Sequence, residues 1–330
     1  MKKTRFAFAG FRHGHIMSLY RQVAAHPDCE IVAAAEENAA ARKQLAESGQ
    51  VRITHDDIAA MLKEVPCDAV AIGDCYGRRG AIAIAALELG KHVIADKPLC
   101  TSLDELETIR RLAAEKRLSV GCMYTLRDST AIAGVRRLIG SGKLGEIVQI
   151  QFTAQHPLLP GTRPGWYFEK GMHGGTINDI GCHAFDIIPY LAGSPIKRVV
   201  AARAWQALPG DSGFQDAGQF MLELENGCGV IADVSYSALV KSGYTHPAYW
   251  RFDLWGTKGM VEFHFNSTQL RVYLPDAEGE TLIDVPETPD EGYFAGFLRE
   301  IAGEPSTVTT ATTLEAALWS LRTQAMADRN

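Results

Sequence analysis

Short β-branched runs alternate with helix-period stretches from Arg5 to about Cys122, and this rhythm constrains the chain more than any other feature it has. Strands that recur after each helix lie parallel, because a parallel neighbour is reached only through a long crossover. The spacing predicts strands at Arg5–Ala9, Ile31–Ala35, Val51–Thr54, Ala69–Ile72, His92–Ala95 and Ser119–Cys122. Helices are predicted near His15–Ala25, Asn38–Ser48, Asp57–Lys63, Arg79–Leu89 and Leu103–Lys116. Six strands and five helices make a complete doubly wound domain. Ser102 and Glu105 stand in S-x-x-E spacing, a capping box that fixes the start of the last helix.

Beyond that helix the rhythm changes. A helix is predicted near Ala131–Ile139, then a turn at Gly140–Gly145 and a strand. In that strand Val148, Ile150, Phe152 and Ala154 alternate with Gln149, Gln151, Thr153 and Gln155, so the apolar set faces a core. Asn226-Gly227 lies between Gln219–Glu225 and Cys228–Ser235 and reads as a two-residue hairpin turn. The second half is therefore expected to be mainly antiparallel sheet. One helix interrupts it near Gly175–Leu191, and two close it, about Tyr293–Ala302 and Thr313–Ala327. A chain of 330 residues exceeds what one hydrophobic core usually serves. The expected division is a dinucleotide-type α/β domain over 1–122 and a second α/β domain with a large, open, mainly antiparallel sheet over 123–330.

A net charge of −6 with the two signs interspersed gives no footprint for nucleic acid or for an anionic membrane. A small-molecule partner is favoured by elimination. The seven cysteines show no C-x-x-C spacing, which argues against a disulfide framework or a zinc knuckle and fits reduced thiols in the cytoplasm. The apolar run behind Lys2 and Lys3 is too short for a secretion signal, and no stretch approaches the ~20 apolar residues of a membrane span. The expected location is cytoplasmic.

The first strand runs into a helix through Gly10-Phe11-Arg12-His13-Gly14-His15, where a dinucleotide fold holds its pyrophosphate. The glycine pattern is incomplete. In G-x-G-x-x-G terms Arg12 takes the second place and His15 the third, with Gly14 one position early. Glycines so placed also serve a plain strand-to-helix turn. Glu36 ends the second strand, where a carboxylate accepts hydrogen bonds from a ribose diol or simply caps a buried strand. With Glu37 beside it a 2′-phosphate is repelled, so NAD is expected over NADP.

Lys97 emerges from the carboxyl end of the fifth predicted strand, in Asp96-Lys97-Pro98, where open α/β sheets bind ligands. The proline holds Lys97 extended, and its preceding bond is one that can be cis. In the second half, His173-Gly174-Gly175 opens a helix that carries Asp179 and His183 four apart, on one face. Oxidising a secondary alcohol requires a base for the hydroxyl proton, and histidine matches that task near neutral pH. His183 is the candidate base, Lys97 the donor to the reacting oxygen, and Asp179 the group that orients substrate or lysine. A core histidine bonded to Asp179 or Asp186 fits the same spacing. His156, His173, Asp179, His183 and Asp186 lack any metal-ligand spacing, so no metal is expected.

Four segments resemble the Gfo/Idh/MocA oxidoreductases, which include inositol dehydrogenases and glucose–fructose oxidoreductases. Gly90-Lys91-His92-Val93 through Asp96-Lys97-Pro98-Leu99 is similar to the family's G-K-H-V…E-K-P segment, with Asp96 in place of glutamate. Ser141 to Ile147 resembles its S-G-x-L-G-x-I turn. Gly174, Gly175, Asp179, Gly181, His183 and Asp186 match its G-G…D-x-G-x-H-x-x-D motif, and Gly256-Thr257-Lys258-Gly259 its late G-T-x-G hairpin. The resemblance implies a Rossmann domain, an open sheet that makes homodimer or homotetramer contacts, NAD(P), and catalytic roles for Lys97, Asp179 and His183. Asp74-Cys75-Tyr76 stands where the family often has T-P-N, Arg79 replaces a frequent histidine, and Met123-Tyr124-Thr125 stands for N-Y-R.

Cofactor contacts are accordingly expected from Gly10, Phe11, Arg12, His13, Gly14, Glu36, Asp74, Cys75, Tyr76, Asp96 and Lys97. Tyr124, His156, Arg163 and Trp166, in the junction and the loop from His156 to Lys170, are expected to line a pocket for a sugar, cyclitol or sugar acid. A hydrolase or lyase working by transient oxidation at tightly held NAD, and a non-catalytic ligand-sensing relative, are the competing readings.

Overall fold

The structure, a computed structural model, describes residues 3–159, 161–209 and 213–329; Pro160, within the candidate pocket loop, lies outside them. The chain forms two compact units. The first comprises the stretch ending at Met123 together with Pro164–Gly174 and Tyr293–Leu314; the second comprises Tyr124–Arg163, Gly175–Gly292 and the chain from Glu315. Sequence patterning divides the chain once, at 122/123, whereas each unit is assembled from separated stretches.

The first unit is built on β1 (Thr4–Ala9), α1 (Ile16–Ala25), β2 (Cys29–Ala35), α2 (Ala39–Ser48), α3 (Ile58–Glu64), β3 (Ala69–Ile72), α4 (Tyr76–Glu88), β4 (His92–Ala95), α5 (Leu103–Lys116) and β5 (Val120–Cys122). The strands form one parallel sheet in the order β2-β1-β3-β4-β5. Every residue of β3 is buried, as expected of a strand covered on both faces. Ser102 Oγ accepts the N–H groups of Asp104 and Glu105 and caps α5. Phe6, Phe8, Ile16, Leu19, Val23 and Ile94 form the core, which Phe294 and Phe297 of the helix Tyr293–Ile301 complete.

Two expectations are corrected here. Val51–Thr54 is not a strand, so the sheet has five strands, not six. Val51 is buried because it packs into the core, while the Thr54 hydroxyl bonds the N–H and C=O of Ala34 at 3.1 Å and ends the pairing after one bridge, Ala35 to His55. The helix predicted from Arg79 begins at Tyr76, which puts Tyr76 and Arg79 one turn apart.

The second unit holds α6 (Thr130–Gly140), β6 (Ile147–Gln155), α7 (Cys182–Ala192) and β7 (Ile196–Trp205). It continues with β8 (Ala217–Leu224), β9 (Gly229–Ser235), β10 (Arg251–Gly256), β11 (Met260–His264), β12 (Gln269–Tyr273) and β13 (Glu280–Asp284). Eight strands run in the order β13-β12-β11-β10-β6-β9-β8-β7, antiparallel except for β6 beside β9. The Asn226-Gly227 turn joins β8 to β9, with Gly227 at φ +85°. In β6 the buried set is Ile147, Ile150, Phe152 and Ala154. Val148, expected inside, is exposed, because a register shift at Gly256 turns that end of the strand over.

The expected helix Gly175–Leu191 is also corrected. Gly175 has φ +92°, Ile177–Gly181 form a π-helical turn, and only from Cys182 does the chain become α-helical. Gln324 of the closing helix Thr310–Ala327 occupies the space a Gly175 side chain would need. Its Oε1 accepts the N–H groups of Ile177 (2.9 Å) and Asn178 (3.2 Å), so a side chain caps the turn that carries Asp179. No helix among the described residues is long and apolar enough to cross a membrane.

Candidate active site

In the first unit the loop after β1 is shaped by its neighbours. Gly10 has φ +81°, and a Cβ there would lie 2.6 Å from the Asp74 Cβ, so only glycine fits. Gly14 by contrast faces open space. Glu36, buried at the end of β2, accepts the Phe11 N–H (2.6 Å) and the Asn38 N–H (2.8 Å). Burial raises its carboxyl, and those two N–H groups partly offset the rise. Arg42 donates to the carbonyls of Glu36 and Glu37, and Arg78 pairs with Glu37 (2.5 Å) and Asp74 (2.9 Å).

Deeper in the loop, His13 is buried and its Nδ1 lies 2.5 Å from Asp96 Oδ2, while its Nε2 lies 3.1 Å from the Tyr76 hydroxyl. Tyr76 in turn meets the Tyr167 hydroxyl at 2.7 Å. Burial drives His13 down to about 4, against the pull of Asp96, so a neutral imidazole donates to a carboxylate. Burial by itself raises the Asp96 carboxyl; Arg79, then His13, overrule it and hold Asp96 well below the ordinary range. Arg79 is fully buried and donates to the carbonyls of Asp74, Asp96, Lys97 and Pro98 as well as to Asp96 Oδ2. Cys75, buried beside Asp74, is pushed up to about 12 and is no nucleophile.

Lys97 follows Asp96 at the end of β4, is buried, and precedes a cis bond to Pro98. Its ammonium lies 5.8 Å from the Tyr76 ring centre. Trp166 packs edge-on against the same ring at 4.9 Å, and His173 lies 5.5 Å from it.

In the second unit Asp179 and His183 are both buried. Tyr236 donates its hydroxyl to Asp179 Oδ2 in a short hydrogen bond. Arg163 lies over the Tyr236 ring at 5.6 Å and donates to the carbonyls of Leu158 and Pro157. The His183 ring packs edge-on against Trp250 at 4.8 Å and against Tyr124 at 6.1 Å. His156 also packs edge-on against the Trp250 ring, at 4.9 Å. Trp250 has φ +51°, uncommon for a bulky side chain. Asp186 is taken by Arg127, with Nε to Oδ2 at 2.8 Å and Nη2 to Oδ1 at 2.9 Å.

The predicted residues thus fall into two groups. The first unit gathers Gly10, Phe11, Arg12, His13, Gly14, Glu36, Asp74, Cys75, Tyr76, Asp96, Lys97 and Trp166. The second gathers Tyr124, His156, Arg163, Asp179 and His183. Trp166, expected with Arg163, belongs with Tyr76. Four residues were missed. Tyr236 and Trp250 sit in β-rich sequence with no motif around them; His13-Gly14-His15 offers an H-x-H pair as a signal, whereas Arg79 falls one turn after Tyr76 only because the helix begins earlier than predicted.

Family models match both parts of the chain. An oxidoreductase model described as an NAD-binding Rossmann fold covers residues 4–124, and the GFO/IDH/MocA C-terminal domain covers residues 132–262. The chain belongs to the GFO/IDH/MocA oxidoreductases. Among relatives of this family, 1,5-anhydro-D-fructose reductase of Ensifer adhaerens is 28% identical over 78% of this chain and 75% of its own length. The dTDP-3,4-didehydro-2,6-dideoxy-alpha-D-glucose 3-reductase of Saccharopolyspora spinosa is 28% identical, and the match spans 68% of this chain and 62% of that enzyme. A crystal structure of an oxidoreductase from Erwinia carotovora atroseptica superposes with a TM-score of 0.88 at 22% identity, over 98% of this chain and 99% of that one, and establishes the shared fold.

Proposed function

We propose that this GFO/IDH/MocA member interconverts a secondary alcohol and a ketone on a sugar, cyclitol or sugar acid, using NAD in preference to NADP, as a cytoplasmic homodimer or homotetramer. The observation that carries the reading is the survival of the chemical set, Lys97 beside Asp96 at the end of β4 and Asp179 and His183 around the start of α7, in a chain whose cofactor loop has changed. Two features support a dinucleotide there: Gly14 faces open space in the loop after β1, and Glu36 offers a buried carboxylate at the end of β2. NAD would be held by Gly10, Phe11, Arg12, His13 and Gly14, by Glu36 on a ribose, and by Asp74, Cys75, Tyr76 and Asp96 toward the nicotinamide end. When bound, it supplies the hydride acceptor or donor.

The chain's own residues then handle the proton and the oxygen. His183, edged by apolar Trp250 and Tyr124, takes the hydroxyl proton. The Lys97 ammonium donates to the reacting oxygen and stabilises its developing charge. Asp179, fixed by the Tyr236 hydroxyl, orients the substrate. Tyr124, His156, Arg163 and Trp166 supply aromatic faces and a guanidinium suited to a polyhydroxylated or acidic ring. The outer face of the eight-stranded sheet, where Met221 and Ile231 are 43% and 51% exposed, is the proposed contact between subunits.

Screening the purified protein with NAD and NADP against inositols, aldoses, sugar acids and keto-sugars tests the proposal. Reduction of the nicotinamide with one of these classes is expected. Substrate turnover without net reduced nicotinamide would favour the hydrolase or lyase chemistry, and no cofactor binding at millimolar concentration would favour a ligand-sensing role.

A further inference from the structure

We infer that His13, His15 and Asp96 form a binding site for one divalent transition-metal ion in the first unit. Their ligand atoms already lie within 4.8 Å of one another. His13 Nδ1 is 2.5 Å from Asp96 Oδ2, and His15 Nδ1 is 3.6 Å from Asp96 Oδ1. Metal–ligand bonds of about 2.0–2.1 Å in a tetrahedral site separate neighbouring ligand atoms by roughly 3.3 Å. The trio therefore brackets that spacing, and side-chain adjustments of about 1 Å, smaller than a rotamer change, complete it.

Asp96 Oδ1 also points to a ligand. It is a fully buried carboxylate oxygen that faces His15 Nδ1 at 3.6 Å, beyond hydrogen-bond distance, a state that costs free energy unless something bridges the two. Arg79 does not fill that role, because its donors go to Asp96 Oδ2 and to four backbone carbonyls. His13 is equally well prepared. With Nδ1 given to a metal, Nε2 carries the proton and donates to the Tyr76 hydroxyl 3.1 Å away, the kind of outer hydrogen bond that orients ligating histidines. The side chain of His15 is 55% exposed and provides the way in, leaving at least one coordination position to solvent.

Two imidazoles and one carboxylate suit zinc, nickel, cobalt or ferrous ion over magnesium and calcium, which prefer an all-oxygen shell. The nearby Arg79 charge opposes any cation, so the open position is best filled by an anionic oxygen.

Untagged, chelator-treated protein without dinucleotide, titrated with cobalt chloride and followed by visible absorption, tests the inference; zinc chloride calorimetry gives the stoichiometry. One saturable equivalent is expected, with affinity falling on the order of 100-fold in His15→Ala and His15→Asn and about 10-fold in Tyr76→Phe. His15 is half exposed, so both substitutions leave the fold intact. Absence of saturable binding at millimolar cobalt, or unchanged affinity in both His15 variants, would overturn it. Because no nicotinamide is present, failure here leaves the redox reading untouched.

Discussion

Tyr236 donates its hydroxyl to Asp179, and both side chains are 1% exposed. The bond joins a strand-end tyrosine to the π-helical turn, so the carboxylate proposed to orient substrate is held from the sheet as well as from its own backbone. Hydrogen bonds to charged groups contribute about 1.5–3 kcal/mol. Tyr236→Phe is therefore expected to lower kcat/KM by about 10- to 150-fold while leaving NAD affinity unchanged. Steady-state kinetics beside cofactor calorimetry checks this. An equal loss in NAD binding would mean that the tyrosine holds the fold and not the substrate.

The Arg127–Asp186 pair anchors α7 with two side-chain hydrogen bonds between buried partners. Removing one member leaves an uncompensated charge inside the unit, at a cost of about 3–5 kcal/mol. Asp186→Asn and Arg127→Leu are each expected to lower stability by that amount in denaturant unfolding. The double substitution Asp186→Asn with Arg127→Leu should lose less than the two singles combined.

Glu36 is the residue proposed to set cofactor preference. Arg78 is shared between Glu37 and Asp74, and Arg42 lies against the carbonyls of both glutamates, whereas the Glu36 carboxylate is held by the backbone N–H groups of Phe11 and Asn38. Replacing it with alanine leaves the proposed ribose site beside Arg42 and Arg78 without that carboxylate. Glu36→Ala should shift the ratio of NAD to NADP affinity toward NADP by about tenfold or more, read by fluorescence titration with each reduced cofactor. An unchanged ratio would take discrimination away from this residue.

His92 gives a pH signature away from the chemistry. Its Nδ1 accepts the Ser119 N–H at 2.9 Å, which requires a neutral ring, and burial lowers its pKa below 6.5. The unfolded chain therefore binds the proton more readily, so this contribution is present at neutral pH and is lost as pH falls below 6.5. Thermal midpoints should drop more steeply between pH 7 and about 5 in the native protein than in His92→Asn. Parallel slopes would contradict the assignment.

The parallel sheet was legible because its strands are short, apolar and separated by whole helices, and β3 and β4 begin and end where the pattern predicts. Val51 and Thr54 misled because burial and β-branching also serve a segment that packs on the core without pairing. The π turn at Asp179 was invisible because its cap, Gln324, lies far along the chain. Lys97, Asp179 and His183 stood out through local motifs. Tyr236, Trp250 and the Asp96–Arg79 pairing arise from tertiary folding, which spacing along one strand or helix does not encode.

The most direct test of the account is a single-turnover measurement with Lys97→Ala, following nicotinamide reduction spectroscopically once a substrate from the screen is in hand and measuring NAD affinity on the same sample. The account predicts loss of hydride transfer by several orders of magnitude with NAD binding retained. Hydride transfer at the native rate would contradict it, because the reacting oxygen would then need no ammonium from the end of β4.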